Sequence, residues 1–396
     1  MKVAPTARRE RILFVDHTAV LGGAELSLLD IATAFRHRAA VALFDHGPFA
    51  HTLASRDVRV ITLSAGAALR NVKKDSRAPS PAALVTTLRC AFQLSMAARG
   101  FDLLYANSPK SFLVSAIAGV FASRPVVWHL RDIVSSAHFS RANIRILVAV
   151  ANQRAARVVA NSRATADAFV KSGGRRDIVR VVHNGIDPEP FDVLAPDTRS
   201  ATRRSLGIAE DAFVLGSFSR LHPWKGQRVL LDALESLSGV HALVVGGALF
   251  SGEEAFEAEL RARIAHPSLA GRVLLLGARA DVPSLMAACD VVVHTSVLPE
   301  PFGRVLVEAL LGRRPLIASD AGGVREIVQD GVTALLVPPG DVPALVRAVQ
   351  AIRDDPALAA AMAEAGSADV RRRFTRTAPI EGVSAVIDGV LDARDA

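Results

Sequence analysis

"HTSVLPEPFGRVLVEALLGRRPLIASDAGGVREIV" runs from His294 to Val328. It begins on the end of an apolar run, "VVVHTS", which stops near Glu300, a carboxylate between Pro299 and Pro301. A turn with Gly303 leads into a short helical pattern that carries a second carboxylate, Glu308. Another apolar run, "RPLIAS", then meets Gly322 and Gly323 and a further helix. Short, continuous Val/Ile/Leu runs alternating with helical segments read as parallel strands covered on both faces.

The same rhythm fills the rest of the chain. In the first half the strand candidates are "RILFVD", "AVALFD", "VRVITL", "DLLYAN", "PVVWHL", "ARVVAN" and "IVRVVH". In the second they are "FVLGSFS", "HALVVGG", "RVLLLG", "VVVHTS", "RPLIAS" and "ALLVPP". A chain of 396 residues exceeds what one core ordinarily holds. The expected fold class is α/β: two Rossmann-like, doubly wound parallel-sheet domains facing a central cleft, residues 1–188 and 189–375. The Pro- and Asp-rich stretch 183–212 lacks periodicity and reads as the linker. A final helix, 376–396, either caps the second domain or crosses back to the first.

Composition narrows the function. Half the residues are hydrophobic and 22% are charged, which is globular rather than disordered. No apolar stretch approaches 18 residues, so no membrane-spanning helix is expected, and the first residues lack a signal-peptide core. Cys90 and Cys289 are too few and too far apart for a disulfide framework or zinc spacing, which points to the cytoplasm. Residues 1–190 hold 26 Lys and Arg against 13 Asp and Glu, whereas the remainder is net acidic. That asymmetry suits an acidic substrate or peripheral contact with an anionic membrane, with "LRNVKKDSRAPS" at 69–80 the expected contact loop. A solvated Arg-rich surface is the plainer alternative. Sparse aromatics and no recognisable binding signature argue against nucleic acid.

In open parallel sheets ligands bind at the carboxyl ends of strands, where helix N-termini point N–H groups at anions. After the first strand come Gly22 and Gly23, which would let backbone approach a phosphate or simply make a tight turn. "GSFSRLHPWKG" places Arg220 at a strand end and Lys225 at the opening of a helix. Cations there oppose the helix dipole, an arrangement that makes sense if an anion lies between them. Glu308, flanked by Val307, Ala309 and Leu310, either accepts hydrogen bonds from something such as ribose hydroxyls or lies on the exposed stripe of its helix, and Glu300 could equally be a partner for a helix N-terminal dipole.

At these residues the chain resembles the family-four retaining glycosyltransferases, which have the GT-B fold. The likeness rests on Gly-Gly-Ala-Glu at 22–25, "HNGID" at 183–187, "GSFSRLHPWKG" at 216–226, "EPFGRVLVE" at 300–308 and "SDAGGVREIV" from 319. It implies that Arg220 and Lys225 bind the donor diphosphate and that Glu308 takes the ribose. It assigns the donor sugar to Glu300 with the backbone of Phe302 and Gly303, and the phosphate to Gly22 and Gly23. The base would rest near Gly277, Arg279 and Val282. His129, ending "VVWHL", matches a strand-end histidine that approaches the sugar, or is a packed strand-end residue. The implied co-substrates are a UDP- or GDP-hexose and a glycan or lipid-linked acceptor. No Asp-x-Asp pair occurs, so no cofactor and no essential metal is expected. Two alternatives stay open: a non-catalytic nucleotide-sugar-binding partner of another transferase, and a dinucleotide-dependent oxidoreductase, against which the missing glycine fingerprint counts.

Overall fold

The computed structural model describes residues 11–63, 81–250 and 252–395. The basic loop 69–80 lies outside the described residues. Two compact units emerge: residues 1–183 with 377–396, and residues 184–376.

The first unit is a seven-stranded sheet of β1 (Ile12–Asp16), β2 (Ala39–Leu43), β3 (Arg59–Thr62), β4 (Leu103–Ala106), β5 (Val126–Leu130), β6 (Ala155–Ala160) and β7 (Val179–Val181). Its order is β3-β2-β1-β4-β5-β6-β7, and every pairing is parallel. Helices α1 (Gly23–Ala34), α2 (Pro48–Ala54), α3 (Pro81–Ala98), α4 (Pro109–Ala122), α5 (Arg141–Arg154) and α6 (Arg163–Lys171) connect them. Right-handed crossovers send α1 and α2 to one face and α3 to α6 to the other, because the strand order reverses beside β1. Two separate cores record this split. Phe14, Leu28 and Phe49 lie in one, and Leu94, Phe112, Trp128 and Phe169 in the other. Ser108 and Ser162 start α4 and α6 by accepting backbone N–H bonds, each cap worth about 1 kcal/mol.

The second unit carries β8 (Phe213–Phe218), β9 (Val240–Val245), β10 (Val273–Gly277), β11 (Val291–His294), β12 (Leu316–Ser319) and β13 (Leu335–Val337). Their order is β10-β9-β8-β11-β12-β13, again parallel throughout. Each of the thirteen strands coincides with one of the apolar runs read from the sequence, β2, β6 and β9 starting one residue earlier.

The boundaries differ from the expected ones. The chain passes between units at 183/184 and 376/377 rather than 188/189 and 375/376. Ile186 N–H donates to the Phe374 carbonyl and Arg376 pairs with Asp187 at 2.8 Å, which ties residues 186 and 187 to the second unit. The stretch 183–212 is not a free linker either. It holds the helix Thr198–Ser205, whose Arg203 is wholly buried and donates to Asp290 Oδ2 at 2.8 Å and to the Ala288, Glu210 and Ala212 carbonyls. Arg199 on the same helix donates to Asp290 Oδ1 at 2.6 Å, so the anchors are two polar side chains, which apolar periodicity could not reveal. The last helix, Thr377–Asp395, buries Val383, Ile387, Val390 and Leu391 in the first unit's core beside Phe14 and Leu28. Among the described residues no helix is long and apolar enough to cross a membrane.

Candidate active site

At the carboxyl edge of the second sheet two loops are stitched together. β8 runs into Ser219 and Arg220, then a single 3-10 turn, Pro223–Lys225, and only after Gly226 does the helix Gln227–Glu235 begin. Lys225 therefore precedes that helix rather than opening it. Gly226 adopts φ 73°, and a Cβ there would stand 1.8 Å from the Thr295 carbonyl oxygen. Thr295 Oγ1 donates to the Lys225 carbonyl and Val297 N–H to that of Trp224. This close approach brings the loop after β11 against the loop after β8.

The result answers why Glu300 stands between two prolines. Lys225 Nζ donates to Glu300 Oε2 at 2.7 Å, and the same oxygen lies 3.1 Å from His294 Nε2 and 3.1 Å from Ser296 Oγ. Glu300 is only 8% exposed. Burial opposes its charge, yet the Lys225 ammonium and the His294 contact hold its carboxyl well below the usual carboxylate range. Burial pulls Lys225 down in turn, and Glu300 counters that pull. The loop is fixed from behind by the Gly-Gly pair: Gly323 N–H donates to the Glu300 carbonyl at 2.8 Å, and a Cβ on Gly322 would lie 2.2 Å from that oxygen. Side chains at 322 would push Glu300 out of place.

Arg220 pairs with Glu253, and its guanidinium lies over the Phe250 ring. Each of the two expected anion-binding cations thus already has a carboxylate, supplied from 33 and 75 residues away. The anion inferred between them from sequence is, in the protein alone, two acids. Lys225 Nζ also lies 4.0 Å from the Trp224 ring centroid.

Gly303 caps the helix Arg304–Leu311, on which Glu308 is half-buried and 3.6 Å from Arg304 Nε. Burial raises the Glu308 carboxyl above its ordinary range, and Arg304 only partly offsets this. The Phe302 side chain lies in the core against Phe374, so only its backbone can face a ligand. Gly277 ends β10, Arg279 is exposed and bonded to Asp281 at 2.7 and 2.6 Å, and Val282 begins the next helix.

In the first unit, the carboxyl ends of β1, β4 and β5 share a buried polar chain. Asn107 Nδ2 donates to Asp16 Oδ2 at 2.6 Å, and Arg131 Nε donates to Asn107 Oδ1 at 2.6 Å. Arg131 also reaches His129 Nδ1 at 3.2 Å, and Tyr105 Oη lies 2.8 Å from the same nitrogen. An arginine can only donate, so Nδ1 accepts and the neutral ring keeps its proton on Nε2. Burial, then Arg131, holds His129 well below its ordinary range, in keeping with that neutral form. Gly22 N–H donates to Glu25 Oε2 at 3.0 Å and Gly23 starts α1, so Glu25 shapes the glycine turn. Burial, then the charge of Asp16, pushes Glu25 up to about 8. Among the described residues no group of three His, Cys, Asp or Glu is placed to hold a metal.

His294, Ser296 and Glu253 went unnoticed in the sequence. His294 and Ser296 had a signal, since a strand running out through alternate polar residues beside a buried acid supplies its partners. Glu253 had none, because its contact with Arg220 is made only by folding.

Two all-parallel Rossmann-like sheets, with polar groups gathered at their carboxyl edges, are the architecture of the GT-B glycosyltransferases. The chain belongs to family four of these enzymes: the family model "Glycosyltransferase Family 4" matches residues 21–190 and "Glycosyl transferases group 1" matches 198–369. The solved structure of HepE from Anabaena, in complex with UDP and glucose, is 39% identical. It covers 96% of this chain and 99% of its own, with a TM-score of 0.87. The lipopolysaccharide core biosynthesis mannosyltransferase LpsB of Rhizobium meliloti is 30% identical over 57% of this chain and 66% of its own. The D-inositol 3-phosphate glycosyltransferase of Mycolicibacterium smegmatis is 32% identical over 47% of this chain and 42% of its own. The chain thus spans less than two thirds of the curated relatives it matches. The oxidoreductase alternative falls with family membership.

Proposed function

We propose that the protein transfers a hexosyl unit from a nucleoside-diphosphate sugar to a glycan or lipid-linked acceptor, with retention of the anomeric configuration. The observation that carries this reading is the buried Lys225–Glu300 pair, with Arg220 close by on the same β8 loop. Lys225 and Arg220 exchange their carboxylate partners for diphosphate oxygens and stabilise the charge that builds on the departing nucleotide. Glu300, released from Lys225, accepts from sugar hydroxyls together with the Phe302 and Gly303 backbone, and Glu308 takes the ribose. Gly277, Arg279 and Val282 keep the base, Gly22 and Gly23 the phosphate, and His129 the sugar.

In the transfer step the bond from the anomeric carbon to the diphosphate oxygen breaks. A bond to the acceptor oxygen forms on the same face, and the acceptor proton passes to the departing diphosphate. After Lys225 turns to the diphosphate, Glu300 keeps His294 and Ser296 as partners, which favours this path over covalent capture of the sugar. UDP-hexose is proposed before GDP-hexose because HepE was solved with UDP-glucose. The name of LpsB supports a place in surface polysaccharide or glycolipid assembly.

A thermal-shift panel of UDP-, GDP- and ADP-sugars tests the donor. A ligand at 100 times its Kd adds ~2.7 kcal/mol, or roughly 5–10 °C for a unit of this size. The product's anomeric coupling by NMR tests retention, and turnover should survive excess EDTA. A shift with no turnover on any acceptor would replace the enzyme with a nucleotide-sugar-binding partner. An inverted product would remove the retaining mechanism.

A further inference from the structure

Eight of the twelve large hydrophobic side chains exposed among the described residues lie on α3, α4 and α5 of the first unit. On α3, Leu84, Leu88, Phe92 and Met96 recur every fourth residue, so they form one stripe along the helix. Cys90, Ala91, Leu94 and Ala98 fill the opposite, buried face. The stripe is therefore not the core-facing side of the helix but a second apolar face turned to solvent. α3 packs along α4, and α4 against α5. On α4, Val120 and Phe121 continue the exposed surface, with Phe92 63% and Phe121 65% exposed. An apolar groove of about 270 Å³ runs between α4 and α5, lined by Ile117, Val120, Phe121 and Val150 with Arg154 at its edge.

Charge decides what could cover this face. None of the three helices contains an Asp or Glu. Arg89, Arg141, Arg145 and Arg154 are all exposed on them. A symmetric pairing of two copies through the face would set these arginines against their own kind. Nucleic acid would leave the phenylalanines and leucines unused. An apolar stripe flanked by arginines matches the boundary between headgroups and acyl chains of an anionic bilayer, where the arginines meet phosphate and the side chains enter the hydrocarbon edge.

We propose that the exposed face of α3, α4 and α5 docks the protein on an anionic phospholipid membrane. The sheet behind the helices holds them parallel to that surface, so docking needs no refolding. The proposal does not depend on the transferase reaction.

Flotation of the full chain with phosphatidylcholine vesicles, with and without phosphatidylglycerol, tests it. The wild type should float with the phosphatidylglycerol vesicles at low salt and bind pure phosphatidylcholine at least ~tenfold more weakly. F92D/F121D should lose at least ~tenfold of the affinity for the anionic vesicles. R141Q/R145Q, which leaves every apolar side chain in place, should weaken binding and flatten its dependence on salt. An unchanged circular dichroism spectrum and cooperative melting of both variants certify the fold of the first unit, which carries the substitutions. The proposal is overturned if the wild type fails to float at low salt, or if both variants float like it. It is equally overturned if sedimentation finds a dimer that F92D/F121D breaks while vesicles are not bound. Loss of UDP binding in the wild type would instead strike the donor assignment and leave the membrane result standing.

Discussion

Replacing Glu300 by Gln separates what the carboxylate does for the fold from what it does for transfer. Lys225 Nζ has Glu300 as its carboxylate partner, and both side chains are largely buried. Removing the charge leaves a buried ammonium uncompensated, which ordinarily costs about 3–5 kcal/mol. The lower end applies, because the Gln carbonyl can still accept from Ser296. For a unit of this size that is a fall of roughly 6–12 °C in Tm. Burial works against the Glu300 charge, but Lys225 and His294 depress its pKa from the ordinary 4.5, so its contribution is present above that value. The gap between wild type and E300Q should stay level from neutral pH down to about 4.5 and close as pH falls further. A nucleoside diphosphate gives Lys225 a new anion, and the variant has no ion pair to break on binding. UDP affinity should therefore hold or rise in E300Q, while kcat falls by at least ~100-fold. Scanning fluorimetry with and without UDP, calorimetry and a radiolabelled-sugar assay read all three quantities. An E300Q protein as heat-stable as wild type would refute the pairing argument. A parallel loss of UDP affinity would place Glu300 on the nucleotide instead of the sugar.

Glu308→Gln should cost UDP ~1.5–3 kcal/mol of affinity and raise donor KM with little change in kcat, because a ribose contact is equal in ground and transition states. The measurement is calorimetry beside initial rates. Glu25 is raised by burial and by Asp16 to about 8, above its ordinary 4.5, so the folded protein keeps a proton that the unfolded chain has lost between those values. Stability should drop as pH rises through that window, by up to ~1.4 kcal/mol per unit, and Glu25→Gln should flatten the slope in urea titrations. Gly226→Ala drives a Cβ toward the Thr295 carbonyl at a φ of 73°. It should cost about 3–5 kcal/mol and weaken UDP binding, since the turn that aims Lys225 would have to move.

The strands were legible because each is a continuous apolar run, and that pattern survives in one dimension. Arg220, Lys225, Glu300 and Glu308 stood out as candidates for a similar reason, because they stand just after strands or on the helix that follows. What the sequence did not carry is who holds whom. Lys225 meets Glu300 only because Gly226 lets its turn lie on Thr295, and Arg220 meets Glu253 across a helix, a strand and a loop. The helix 198–205 was hidden for a related reason: it is anchored by the buried Arg203 rather than by an apolar stripe.

The position of the helix Thr377–Asp395 has a consequence for synthesis on the ribosome. Val383, Ile387, Val390 and Leu391 belong to the first unit's core but are translated after the whole of the second unit. The contiguous unit 184–376 can therefore complete its core before the unit that precedes it. At ordinary translation rates the first unit waits roughly 10–40 s with Phe14, Leu28 and Phe49 short of their last packing partners. During that interval it is the earlier-made half, not the later one, that offers apolar surface to chaperones.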